Sequence, residues 1–178
     1  MTQLSHIQRF DALMKGYGRT HERPTAASLA HIHAHFGIRF PNELIQFARD
    51  AAHFHSWFAS LGPDYDNPQH IIRINSYWRR RRPKRRIPRH LIAFNLGFDG
   101  DLDCFDLSMT PAARMANGEH AVRYWSADLD NPNDVARYDN FHACMASALN
   151  FWEDLQHRTA TRQAKRALTA KASREQWQ

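Results

Sequence analysis

Two groups of charged side chains, opposite in sign, carry most of the chemistry this sequence offers. Four carboxylates, Asp99, Asp101, Asp103 and Asp106, crowd one short stretch, and Asp128 and Asp130 follow in the acidic segment DLDNPND. Upstream, residues 71–90 hold nine of the 24 Lys and Arg and no acid, with Arg79, Arg80, Arg81 and Arg82 consecutive. Carboxylates at this density either decorate a solvated turn or receive something cationic. Guanidinium groups at this density either complement the negative end of a helix, worth about 0.3–1 kcal/mol each, or bind an acidic surface.

Metal and catalytic chemistry find less support in the spacing. Asp99-x-Asp101-x-Asp103 opens like a calcium loop, but Cys104 stands where that loop needs Gly, and Thr110 where it needs Glu. His31 and His35, two of twelve histidines, are four apart and share a helical face, yet no Glu follows His31 and no third ligand is evident. Cys104 and Cys144 lack the paired spacing of a zinc site and are expected to be reduced thiols. No Gly-x-Ser-x-Gly, His-Glu-x-x-His or phosphate-cradling glycine loop occurs. The expectation is a protein without catalytic residues, metal or cofactor.

The elements that must position these charges follow from periodicity. Length of 178 residues, 43% apolar and 12% aromatic content suit one domain with one core. No apolar run is long enough for a signal peptide or a membrane span, which points to a soluble, cytoplasmic protein. Leu4, Ile7, Phe10, Leu13 and Met14 form the apolar face of a first helix, stopped at Gly16-Tyr17-Gly18. A second helix runs from Pro24 or Thr25 to His35 along Ala27, Ala30, Ile32 and Ala34, and Phe40-Pro41 restarts the chain into a third with Leu44, Ile45, Phe47 and Ala48 buried.

Farther on, the aromatic density of residues 53–61 reads as a strand, and Asn67-Pro68 opens a helix carrying Ile71, Ile72, Ile74, Asn75 and Trp78, with the Arg run at its C-terminal end. The unbroken run Leu91 to Phe94, a corner at Gly97 and Gly100, then Phe105 and Leu107 make a hairpin whose mouth is anionic. Residues 111–118 read as a loop, and residues 119–126 (EHAVRYWS) as a third strand bearing Tyr124 and Trp125. A closing helix has the stripe Phe141, Met145, Leu149 and Trp152. The polar, basic residues 156–178 are a helical or frayed tail appended to a domain of residues 1–155.

In this order the elements resemble the SUKH superfamily, the Smi/Knr-type fold. The resemblance rests on Phe40-Pro41-Asn42-Glu43-Leu44-Ile45-Gln46-Phe47, on His90 to Phe94 with Gly100-Asp101-Leu102-Asp103-Cys104-Phe105-Asp106-Leu107, on Ala121 to Ser126, and on the helix from Phe141 to Phe151. It spans about residues 6 to 152. Asp99-Gly100 departs from the usual Gly-Gly, and the Arg run and basic tail lie outside the pattern.

The resemblance implies an α+β fold, an antiparallel sheet packed by helices, and the role of an immunity protein or antitoxin: binding and neutralising a cognate toxin of interbacterial competition by protein–protein interaction. Since nuclease toxins present cationic surfaces, the expected docking face is Asp99, Asp101, Asp103, Asp128 and Asp130, with Tyr124 or Trp125 as aromatic anchors. The competing face is Arg79 to Arg86, binding an acidic toxin surface. Direct nucleic-acid binding by that run, as a regulator, is the alternative, although no helix-turn-helix, zinc-finger or RNA-recognition signature accompanies it. A scaffold of the same fold without a toxin partner is the third reading.

Overall fold

A computed structural model describes residues 5–15, 25–51, 69–82, 85–96, 101–126 and 136–175. The expected strand over residues 53–61, the Gly16-Tyr17-Gly18 stop, the Asn67-Pro68 start, the Gly97 and Gly100 corner and the acidic segment with Asp128 and Asp130 lie outside the described residues, as does Asp99.

The described elements are α1 (His6–Met14), α2 (Ala26–Phe36), α3 (Asn42–Asp50), α4 (Gln69–Arg79), β1 (Leu91–Leu96), β2 (Leu102–Asp106), α5 (Ala112–Ala116), β3 (Ala121–Trp125), β4 (Arg137–Tyr138) and α6 (Phe141–Glu175). The chain is α+β. Its four strands form one antiparallel sheet in the order β1-β2-β3-β4. No helix among the described residues is long and apolar enough to cross a membrane.

Helix starts follow local chemistry. Ser5 and Gln8 make a reciprocal capping box at α1, and the Asn140 side chain accepts the Ala143 N–H at α6. Residues 141–175 contain neither Gly nor Pro, so nothing local ends α6 where the core ends. Its side chains at residues 157–166 are all exposed. The boundary expected at residue 155 therefore falls inside one continuous helix.

Both faces of the sheet are covered, which explains why residues 91–94 read as an unbroken apolar run and not as an alternation. On one face Phe105 meets Phe94, Phe40 and the His120 ring, and Phe94 meets Phe141 of α6. On the other, Trp78 of α4 packs edge-on against Trp125 of β3 at 5.4 Å. Phe10, Phe40, Phe47, Phe94, Phe105 and Phe141 are fully buried. Each such ring contributes on the order of 2 kcal/mol relative to exposure, so these side chains, not the charges, hold the fold.

Three local expectations change. Ala27, Ala30 and Ala34 of α2 are exposed; the face turned inward is Leu29, Ile32, His33 and Phe36, spaced i, i+3, i+4, i+7, because the large side chains set the stripe. Residues 111–118 are not a plain loop, since Pro111 opens the short helix α5 and Gly118 closes it with φ +77°. Strand β4 was not expected, because two residues are too short to show an alternation.

Candidate functional site

Asp101, Asp103 and Asp106, the described members of the acidic group, each accept a hydrogen bond from a neighbouring residue. Asp103 lies opposite Tyr124 in the β2–β3 register, is partly buried, and accepts a hydrogen bond from Asn95 Nδ2 at 2.9 Å. Burial pushes its carboxyl up from the ordinary value, with the Asn95 amide pulling partly back and Asp101 adding to the rise. Asp101 accepts the Tyr124 hydroxyl, which ties the two residues expected to meet a partner to each other. Trp125 is 9% exposed and belongs to the core against Trp78. Asp106 is fully buried: its Oδ1 accepts the Ser108 N–H and hydroxyl at 3.0 and 2.6 Å, and Arg123 approaches Oδ2 at 3.8 Å. At the described positions, Asp101, Asp103 and Tyr124 are thus half-buried and hydrogen-bonded to neighbouring residues, and Trp125 is buried.

The basic group divides. Arg79 ends α4 half-buried, donates to the Leu91 carbonyl at 3.3 Å and lies over Phe36, and burial together with Arg89 lowers its pKa. It serves the fold. Arg80, Arg81, Arg82, Arg85 and Arg86 are exposed. Arg81 stacks over Tyr77 at 4.4 Å and reaches Trp78 at 5.6 Å, and Tyr77 is itself 51% exposed. Tyr77, Trp78 and Trp125 form a chain of edge-on ring contacts from the surface to the core. Among the described residues no carboxylate pairs with Arg80, Arg81 or Arg82. The ridge is therefore cationic, aromatic and braced from below.

A third constellation escaped the sequence. His6 in the first turn of α1, Glu43 in the first turn of α3 and His142 in the first turn of α6 bring their polar atoms to one point. His6 Nδ1 lies 3.0 Å from Glu43 Oε1, and His142 Nδ1 lies 3.0 and 3.1 Å from Oε1 and Oε2. The two imidazole rings are 4.3 Å apart, tilted by 32°. Beside them opens a cleft of about 120 Å³, bordered by residues 41–43, Asn117, Glu119 and residues 140–142.

The wall of this cleft is fixed by contacts to residues 39 and 40. His33 Nε2 accepts the Phe40 N–H at 3.1 Å, so that imidazole is neutral at this nitrogen, and burial and Arg39 lower its pKa accordingly. His120 Nε2 donates to the Arg39 carbonyl at 2.6 Å. Gly118 lies so close that a Cβ there would sit 2.8 Å from the Phe40 carbonyl oxygen. His31 and His35, the pair whose spacing resembled a metal site, are exposed on α2, and among the described residues no third ligand joins them. Sequence spacing missed the triad because its members are 37 and 99 residues apart, beyond any local motif. The buried thiols of Cys104 and Cys144 are free, and burial raises both pKa values, which leaves them inert.

No protein-family model matches this chain, and neither a curated protein nor a solved structure matches it.

Proposed function

We propose that this protein works by docking to another protein, neutralising a toxin in the manner the SUKH resemblance implies, and that it docks through the Arg80–Arg82 ridge onto an acidic surface. The observation carrying this reading is the braced stack of Arg81 on Tyr77 on Trp78. Arginine and tyrosine are the side chains that most often dominate binding energy, and both here are held in place before a partner arrives, which reduces the ordering cost of association. Unpaired guanidinium groups also accelerate encounter with an acidic partner and reject cationic ones. The acidic face is the weaker candidate, since Asp101 and Asp103 already bond within the sheet.

The test is protection of cells co-expressing the toxin encoded beside this protein, together with the association rate of the purified pair. Reversing the ridge with Arg80→Glu, Arg81→Glu and Arg82→Glu is expected to slow association by about tenfold or more at low salt and to abolish protection. Tyr77→Ala is expected to speed dissociation. Unchanged protection in the triple variant removes the ridge from the interface. Tight, steeply salt-dependent binding to plain DNA that the triple variant loses would transfer the ridge to a nucleic-acid role.

A further inference from the structure

We propose that His6, Glu43 and His142 form a binding site for a first-row divalent cation, with zinc the ion they suit best. Two imidazole nitrogens and a carboxylate oxygen are a donor set that zinc accepts, leaving a fourth position for water or another ligand. Bonds of about 2.0–2.1 Å at tetrahedral angles place ligand atoms about 3.3 Å apart. The carboxylate-to-imidazole separations are 3.0 to 3.1 Å, and all three donor atoms lie within 4.8 Å of one another. Small rotations of the side chains therefore bring the set to bonding geometry.

The supporting structure favours such a site. Each ligand projects from the first turn of a different helix, and the three helices pack against one another, α1 on α6 and α3 on α6. Ligands on rigid elements hold geometry better than ligands on loops. Glu43 follows directly from the segment fixed by His33, His120 and Gly118. His6 is 13% exposed and Glu43 29%, whereas His142 is 66% exposed and leaves a way in for the ion. Glu43 and His142 border the cleft that Glu119 and Asn140 also line, which gives room for a fourth ligand. Three helix N-termini oppose a cation here; Glu43, with Glu119 across the cleft, offsets them. A bound ion would clamp α1, α3 and α6 at one end, alongside the Arg9 to Glu153 pair that already ties α1 to α6 at 2.8 Å.

The experiment starts from chelator-stripped full-length protein, titrated with Zn²⁺ against a chromophoric chelator and by calorimetry, with Co²⁺ substitution to read geometry. One equivalent should bind with a dissociation constant of about 10 µM or tighter, raise Tm, and with Co²⁺ give the intense visible bands of a tetrahedral site. His142→Ala alters an exposed side chain and should fold normally, yet weaken binding at least about tenfold, as should Glu43→Gln. His157→Ala, on the exposed part of α6, controls for adventitious binding by other histidines and should change nothing. Absence of saturable one-to-one binding overturns the proposal, and so does equal weakening by His142→Ala and His157→Ala.

Discussion

Asp103 shows how a residue that reads as surface chemistry becomes a structural cost. Its carboxylate accepts a hydrogen bond from Asn95 on the sheet, and burial raises its pKa above the ordinary aspartate value. The unfolded chain ionises this group near the ordinary pKa of about 3.9, whereas the folded chain resists ionisation until higher pH. Stability from this residue is therefore fully present below that ordinary value and is lost as pH rises through the folded one. Asp103→Asn keeps an acceptor for Asn95 without the charge, so its Tm should exceed that of the parent at pH 7 and converge with it below about pH 4, as differential scanning calorimetry across pH would show. Gly118 is the opposite case, a residue whose side chain must be absent. With φ +77° and the Phe40 carbonyl where a Cβ would go, Gly118→Ala should cost about 1–3 kcal/mol in urea unfolding.

At the scale of elements, α4 does more than bury an apolar stripe. Strand β1 is an edge of the sheet, and an edge exposes unpaired backbone groups. The Asn75 amide closes this one: its Oδ1 accepts the Ala93 N–H at 2.9 Å while its Nδ2 donates to the Ala93 carbonyl at 2.8 Å and to Ile71 at 2.9 Å. Arg79 adds a bond to the Leu91 carbonyl, two residues along the same edge. Asn75→Leu fits the apolar surroundings but leaves both Ala93 groups buried without partners, which should cost about 2–4 kcal/mol. Chemical denaturation measures the loss, and hydrogen exchange should localise it to β1. The helical stripe through Ile71, Ile72, Ile74 and Trp78 was legible in the sequence; that the polar residue within it completes a sheet edge was not, because periodicity reports which face is buried and not what lies opposite.

At the scale of the molecule, a packed α+β body carries a helix that outruns it. Contacts tie α6 to α1 as far as Gln156, whose side chain donates to the Leu13 carbonyl at 3.0 Å, and the side chains at residues 157–166 are exposed. Replacing any one of the exposed side chains at residues 157–166 by alanine should therefore shift Tm by no more than about 2 °C, since single changes at exposed residues stay near 0.5 kcal/mol. A larger fall in a thermal melt would mean that the extension supports the core.

Local pattern alone determined the positions of α1, α3, α4, β1, β2, β3 and the start of α6, and most of the Phe-rich core, because side-chain periodicity, helix caps and proline act over a few residues; the α+β class came from the resemblance that their order carries. It could not decide which charges stay outside. Asp101, Asp103 and Arg79 were drawn into the fold while Arg80 to Arg82 stayed on the surface, and Trp125 went inward while Tyr77 stayed out. Only the packing of three helices brought His6, Glu43 and His142 together, since atoms so distant in sequence meet only where the burial of Phe10, Phe47 and Phe141 places their helices.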